Sequence, residues 1–216
     1  MEAYFWESLF FILTGFALGG VLFSYHVPKL LKGVDVTRSS VDHNPGTANA
    51  FKLAGVPIGL LCLLLDLAKG FMPVYLATRR VPLGFALLPF VMLAPVLGHA
   101  MAPLYHRRGG KAIATAFGVL IGLLPQSNAV WVLVFWYLFF SLVRVIHPNE
   151  RRSFVTFCVT AACCAGGALV TGHTMAGLGC VLVCAVPAYR NYIGIREVEQ
   201  ARLIQEEAER LPQQAR

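Results

Sequence analysis

Cations and glycines are concentrated in residues 98–115, a stretch that joins two long apolar runs. Arg108 and Lys111 flank the Gly109–Gly110 step. A helix that starts after such a step leaves N–H groups unpaired, and these groups together with basic side chains favour a bound phosphate. Lys111 and Thr115 are four residues apart, a spacing that puts them on one side of a helix start. The stretch therefore predicts a phosphate site, or alternatively a basic loop that only sets membrane topology.

Three ionisable residues lie inside or at the end of apolar runs. His99 ends one run beside the glycine step, so it is either a site residue or a buried structural histidine. Asp66 and Lys69 are three residues apart, which allows them to pair on one helix. A charged pair within a membrane indicates either a function or a lock between helices. Counted from Lys52 at about 1.5 Å per residue, Asp66 would lie roughly 20 Å into the membrane, unless the span begins later or kinks.

A polar cluster separates the first two apolar runs. Asn44-Pro45-Gly46 is typical of a turn. A turn of this polarity is either an ordinary surface loop or a segment that enters the membrane and lines a cavity. The cluster consists of Arg38, Asp42, His43, Asn44, Pro45, Gly46, Thr47 and Asn49.

The elements that must position these groups are apolar helices. Of the 216 residues, 57% are hydrophobic and only 13% are charged, which is typical of a polytopic membrane protein. The apolar runs predict an all-α fold with seven transmembrane helices, of which the fourth is short and must tilt. The predicted spans are approximately 5–25, 53–77, 81–103, 112–125, 129–146, 153–170 and 175–188. We expect one membrane domain over residues 1–195 and a short charged tail over 196–216.

Basic residues follow the first, third, fifth and seventh runs and are absent after the fourth and sixth. This pattern predicts an N-terminus outside and a C-terminus in the cytoplasm, with Arg79 and Arg80 as the exception. The net charge of +7 lies in loops, so it favours anionic lipid headgroups over nucleic acid. The six cysteines lie in apolar runs without CxxC spacing, and we predict no metal and no cofactor.

Four segments carry a family resemblance, which covers most of the chain up to about residue 125. They resemble, in order, the motifs GSIPFGYL, R…GSGNPGATN, DxxKGxxP and GHxFPVFxxFKGGKGxAT of the bacterial PlsY family of membrane glycerol-3-phosphate acyltransferases. The matching segments are Gly19-Gly20-Val21-Leu22-Phe23-Ser24-Tyr25, Arg38 with Asn44-Pro45-Gly46-x-x-Asn49, Asp66-x-x-Lys69-Gly70-x-x-Pro73, and Gly98-His99-x-x-x-Pro103…Arg108-Gly109-Gly110-Lys111-Ala112-x-Ala114-Thr115.

The sequence also departs from these motifs. Gly20 stands where the family has serine, and Ser24, one turn away, could substitute for it. Val41-Asp42-His43 stands in place of the Gly-Ser-Gly that precedes Asn44 in the motif. Arg108 replaces a lysine and keeps its charge, and Ala112 replaces a glycine.

The resemblance implies acyl transfer from acyl phosphate to the 1-hydroxyl of glycerol 3-phosphate, giving lysophosphatidate at the cell's inner (plasma) membrane. It also implies contact with membrane lipids and with the soluble enzyme that makes acyl phosphate. Implied catalytic residues are His99, Lys111 and Arg38. Implied substrate-binding residues are Asn44, Gly46, Asn49, Arg108, Gly109, Gly110, Thr115, Lys69 and Ser24. The alternative is a catalytically decayed relative that binds lipid or scaffolds a partner.

Overall fold

A computed structural model describes residues 1–105 and 109–214, with side chains up to residue 204. This part of the chain is helical and contains no strand. Its α-helices are α1 (Glu2–Gly20), α2 (Phe23–Lys32), α3 (Val36–Ser39), α4 (Thr47–Ala54), α5 (Val56–Thr78), α6 (Leu88–Met101), α7 (Ile113–Gly122), α8 (Ala129–Leu138), α9 (Asn149–Thr171) and α10 (Thr174–Gln214). A 3₁₀ turn, Pro103–Tyr105, follows α6, and α8 continues as a π-helix over Phe139–Val143.

Five helices in the described residues are long and apolar enough to cross a membrane. They are α1, α5, α6 with its extension to Tyr105, α9, and α10 as far as Ile204. The apolar helices α7 and α8 are shorter. The all-helical, multi-pass membrane fold is therefore confirmed, whereas the count of seven spans and their orientation stay predictions. Helix α10 continues without a break across residue 196, where the sequence predicts the tail to begin.

The first predicted span corresponds to α1, but the helix ends earlier than the sequence predicts. Helix α1 ends at Gly20, Val21 is extended, and α2 begins at Phe23. The Val21 carbonyl, which the break frees, accepts a hydrogen bond of 2.6 Å from the Lys69 Nζ. Gly19 lies so close to the Pro95 carbonyl that a Cβ there would overlap it. The break thus places α1 tightly against α6 and gives a buried lysine a backbone partner.

Helices α4 and α5 fold back on each other at Gly55, whose φ of +91° favours glycine. Phe51 packs against Gly59, and the Thr47 hydroxyl donates to Asp66 at 3.3 Å. Asp66 therefore lies beside the first residue of α4. The span that carries Asp66 begins only at Val56, after this reversal, so a depth counted straight along the chain from Lys52 does not apply.

Helices α5 and α7 cross with glycines at the contact. A Cβ on Gly70 would overlap the Thr115 carbonyl, and one on Gly118 would overlap the Leu67 carbonyl. Small residues at a crossing allow two backbones to approach closely. The main hydrophobic core extends from this crossing to α10, with Val74, Leu88, Met92, Val96, Leu120, Leu133, Phe157 and Val183 fully buried.

Candidate functional site

A cavity of about 540 Å³ lies where α4, α5 and α7 meet the first turn of α9. Its polar lining contains three cations and three carboxylates, together with amide and imidazole groups. Its apolar lining comes mainly from α5 and α7. The polar residues include Asp42, Asn44, Asn49, Lys52, Asp66, His99, Lys111, Glu150, Arg152 and Asn191, and the apolar ones include Leu63, Leu67, Ile113, Phe117 and Ile121.

The cavity brings together five of the residues that the sequence singles out for substrate: His99, Lys111, Asn44, Gly46 and Asn49. Two more, Ser24 and Lys69, lie behind its wall and contact lining residues. Arg108 falls outside the residues that the structure describes.

A buried polar network forms the wall behind the cavity. Lys69 Nζ lies 2.8 Å from Asp66 Oδ1 and 2.7 Å from His99 Nδ1. The Ser24 hydroxyl donates to Asp66 Oδ2 at 2.6 Å. These four side chains are at most 4% exposed. The predicted Asp66–Lys69 pair is therefore confirmed, and its partners are hydrogen-bonded as buried charges require.

The network fixes the protonation of His99. An ammonium group can only donate, so Nδ1 of His99 accepts from Lys69 and the proton of the neutral ring is assigned to Nε2. The Nε2 atom lies against Gly110, where a Cβ would overlap it. In this tautomer His99 lines the cavity as a neutral ring whose second nitrogen is a hydrogen-bond donor.

Lys111 sits between two carboxylates, with Nζ 3.0 Å from Asp42 Oδ2 and 2.9 Å from Glu150 Oε1. Burial lowers the pKa of Lys111, but the hydrogen bonds to Glu150 and Asp42 outweigh burial and hold the pKa above 10.5. Burial likewise raises the pKa of Asp42, and the hydrogen bonds from Asn49 and Lys111 more than offset it, so that this pKa lies below 3.8. Lys111 and Asp42 are therefore both charged at neutral pH.

The prediction that Lys111 and Thr115 share one side of the helix start is wrong. Helix α7 begins at Ile113, after Ala112 with a φ of +59°. Lys111 is therefore outside the helix and does not share a face with Thr115. The Thr115 side chain is fully buried at the α5–α7 crossing and does not line the cavity, so it cannot donate to a ligand there.

The glycine step packs closely against the backbone and ring of the end of α6. The Gly110 N–H donates to the His99 carbonyl at 3.2 Å. Arg190 donates to the carbonyls of Gly109 and Gly110. The Gly46 N–H is also occupied, by the Asn44 carbonyl at 2.8 Å. The predicted phosphate contacts from the N–H groups of Gly110 and Gly46 are therefore not available in this arrangement, whereas the Gly109 N–H stays a prediction.

Arg38 is not brought to the cavity. Its side chain is 89% exposed, and its Nε lies 3.8 Å from Asp35, the residue that caps α3. Lys52 and Arg152 line the cavity instead. The buried Nε of Arg152 has no hydrogen-bond partner, and its guanidinium lies over the Tyr137 ring at 5.8 Å. An unsatisfied cationic donor at a cavity wall indicates a place for an anion.

Several groups at this site were not predicted from the sequence. Lys52, Arg152 and Arg190 were interpreted there as charges that set the membrane topology, and Glu150 was given no role. The Asn191 side chain is 1% exposed and donates to the Pro187 carbonyl at 2.8 Å. Polar residues at the start of α9 and within α10 could have indicated these groups, because packing among apolar helices does not explain their polarity.

The fold and cavity define a multi-pass helical membrane protein with a cavity that has both a charged and an apolar lining. The model of the family "Glycerol-3-phosphate acyltransferase" matches residues 9–197. The chain belongs to this family, which confirms the resemblance found in the sequence.

Relatives and solved structures agree with this membership. The chain is 40% identical over 124 residues to a glycerol-3-phosphate acyltransferase of Myxococcus xanthus, and the match covers 57% of this chain and 64% of that protein. It is 34% identical over 144 residues to one of Aquifex aeolicus, covering 64% and 74%. It is also similar to the crystal structure of PlsY, an integral membrane glycerol 3-phosphate acyltransferase, in its glycerol 3-phosphate form, with a TM-score of 0.75, 26% identity and coverage of 90% and 93%.

Proposed function

We propose that this protein transfers a fatty acyl group from acyl phosphate to the 1-hydroxyl of glycerol 3-phosphate and releases lysophosphatidate. The observation that carries the proposal is that one cavity holds Lys111, His99 and Arg152 beside an apolar lining. A phosphate ester and a fatty chain need these two surroundings at once. The names of the relatives support the same substrate and product class.

The reaction asks the protein for positioning and charge. The hydroxyl oxygen of glycerol 3-phosphate bonds to the acyl carbon, the bond from that carbon to the phosphate oxygen breaks, and the departing phosphate takes the hydroxyl proton. No side chain has to remove a proton. The protein must hold two phosphate groups close together and stabilise the oxyanion that forms on the acyl carbon.

The cations of the cavity hold the two phosphate groups close together. Lys111 and Arg152 neutralise phosphate oxygens, and Lys52 adds a third positive charge to the same lining. These residues replace Arg38, which is exposed to solvent. The charge of Arg108 would add to theirs, as its place in the family motif implies.

Amide and imidazole groups of the cavity donate hydrogen bonds to the phosphate groups and to the oxyanion. Asn44 and Asn49 line the cavity next to Lys111 and donate to phosphate oxygens. His99 donates through Nε2 to a phosphate or to the oxyanion on the acyl carbon. Asp66 and Lys69 hold the tautomer of His99.

The acyl chain lies along the apolar lining formed by Leu63, Leu67, Phe117 and Ile121. It enters from the inner leaflet of the plasma membrane. The seven apolar helices all cross the membrane, with the N-terminus outside, so that α2–α4 and the mouth of the cavity face the cytoplasm. The soluble enzyme that makes acyl phosphate delivers it to this face.

A donor panel tests the proposal. The purified protein in detergent is given labelled glycerol 3-phosphate with palmitoyl phosphate, palmitoyl coenzyme A or palmitoylated acyl-carrier protein, and lysophosphatidate is measured. We expect product from palmitoyl phosphate alone. Product from another donor but not from the acyl phosphate would contradict the donor assignment, and no product from any donor would favour the decayed alternative.

The Gly20→Ser variant separates an active enzyme from a decayed one. A Cβ at Gly20 has Pro103 Cδ as its nearest neighbour, at 3.4 Å, so a serine fits without rearrangement. Because Ser24 is already hydrogen-bonded to Asp66, we expect G20S to change the rate of transfer by less than about tenfold, which is 1.4 kcal/mol. A large gain from a nearly inactive parent would instead show that catalysis had been lost with the serine.

A further inference from the structure

The Asp42 carboxylate occupies the donors that the proposed function assigns to a phosphate. Its Oδ1 accepts from Asn49 Nδ2 at 2.8 Å and from the backbone N–H of Asn44 at 3.3 Å. Its Oδ2 accepts from Lys111 Nζ at 3.0 Å. An ammonium, a side-chain amide and a backbone N–H are together a typical donor set for a phosphate group.

A phosphate at Lys111 would therefore meet negative charge. The ammonium already faces two carboxylates, those of Asp42 and Glu150, so the three groups together carry one net negative charge. Adding a phosphate dianion to this group without moving a carboxylate brings like charges into contact in a partly buried place, which is unfavourable.

Asp42 is the carboxylate that can move away. Glu150 lies in the first turn of α9, its side chain is 21% exposed, and its Cγ packs 3.4 Å from the position of a Cβ on Gly194. Asp42 lies in a turn between α3 and α4, and its side chain is 36% exposed. The carboxylate of Asp42 can turn into solvent without displacing a helix.

We propose that Asp42 is an internal anion that occupies the phosphate position at Lys111 and leaves when substrate binds, so that it sets the affinity for the phosphate substrate. The proposal rests on the proposed function of the cavity. Asp42 keeps Lys111, Asn44 and Asn49 in place for the phosphate and competes with it. It acts through these residues and is a positioning residue.

The position of Asp42 in the sequence agrees with such an added role. It stands in the segment where the PlsY motif has Gly-Ser-Gly, with Asp42 at the place of the serine. A serine there carries no charge and could not compete with phosphate. The acidic residue thus distinguishes this chain from the motif at the point of contact with Lys111.

The test compares wild type with Asp42→Ser and Asp42→Asn. Rates of lysophosphatidate formation are measured against glycerol 3-phosphate at saturating palmitoyl phosphate, and inorganic phosphate is titrated as an inhibitor. We expect both variants to lower the KM for glycerol 3-phosphate and the inhibition constant of inorganic phosphate by about tenfold, with kcat changed less than about twofold. An unchanged or raised KM in both variants would overturn the proposal.

Asp35→Asn is the matched control. It removes the same charge from the same segment, and asparagine caps a helix as well as aspartate does, but Asp35 faces Lys29 and Arg38 outside the cavity. We expect its KM to equal that of wild type. An equal fall in KM in D35N and D42N would assign the effect to general charge and overturn the specific competition.

Binding of labelled inorganic phosphate to the purified variants separates this inference from the proposed function. If wild type makes no lysophosphatidate from any donor, the proposed function fails, and binding still decides the inference. Tighter binding of inorganic phosphate by D42S than by wild type supports it. Equal or weaker binding overturns it.

Discussion

Lys69 holds the buried polar network together, because its ammonium lies within 2.8 Å of the Asp66 carboxylate, the Val21 carbonyl and the His99 ring. The three partners come from α5, from the break after α1 and from α6. A charge buried among apolar helices is tolerated only when it is paired in this way. One side chain therefore fixes both the local structure of three elements and the orientation of the imidazole at the cavity.

Removing one partner of this pair should destabilise the protein strongly. We expect Asp66→Leu to lower the free energy of unfolding by about 3–5 kcal/mol, because it leaves Lys69 buried without a counter-charge. The double variant D66L/K69M removes both charges and should lose clearly less stability than D66L. Thermal unfolding in detergent, analysed as a double-mutant cycle, measures the difference. If D66L were at least as stable as D66L/K69M, the buried charge of Lys69 would not need Asp66 as its partner.

For single residues, the sequence predicts contact partners that are close along the chain but not those that are distant. The three-residue spacing of Asp66 and Lys69 was enough to predict their contact, because neighbours on a helix must meet. His99 lies thirty positions further along the chain, and Glu150 lies thirty-nine positions from Lys111. No pattern within either segment indicates such a pairing. Arg38 was assigned to the site by its motif, but its short helix is capped by Asp35 and turns the side chain to solvent.

The α5–α7 crossing determines where the cavity wall lies. Leu67 of α5 and Phe117 of α7 both line the cavity and are next to the glycines at the crossing. Lys111 precedes α7 by two residues. Any change that separates these helices should widen the apolar lining and shift Lys111 relative to Glu150.

A methyl group at this crossing should be costly. We expect Gly118→Ala to lower stability by about 1–3 kcal/mol, because the new Cβ overlaps the Leu67 carbonyl and the helices must separate. Gly166→Ala in α9 is the control, since no atom lies within 4 Å of its Cβ position. Alanine should leave stability unchanged there or raise it by up to about 1 kcal/mol. Equal shifts in melting temperature for the two variants would show that the crossing is not tightly packed.

Apolar periodicity predicted the positions of the helices but not their interruptions. The runs of the sequence match α1 and α5–α10, because burial in lipid requires continuous apolar helices. The break at Val21 and the reversal at Gly55 were missed, since both lie inside or next to sequences that read as one continuous run. The break depends on the Lys69 side chain and the reversal on a glycine conformation, and neither changes the hydrophobic pattern.

For the whole molecule, the arrangement of basic residues predicts that the mouth of the cavity faces the cytoplasm. Labelling of introduced cysteines from outside intact cells tests this orientation. We expect V41C and H147C to be protected from a membrane-impermeant maleimide and G84C and H173C to react, because the loops of the two pairs lie on opposite sides under the positive-inside rule. The protein without an added cysteine gives the background of its native thiols. Labelling of V41C but not G84C would reverse the orientation.

We propose that the cavity binds a phosphate substrate through Lys111. Direct binding of labelled glycerol 3-phosphate to the purified protein is the strictest test of this contact. Wild type, K111A, K111R and K29A are compared after size-exclusion chromatography and thermal unfolding have shown that each is folded. Lys29 lies on α2 outside the cavity, so K29A removes the same charge elsewhere. We expect K29A to bind like wild type, K111R to bind more weakly, and K111A to lose at least about tenfold in affinity. Binding by folded K111A equal to that of wild type would contradict the account.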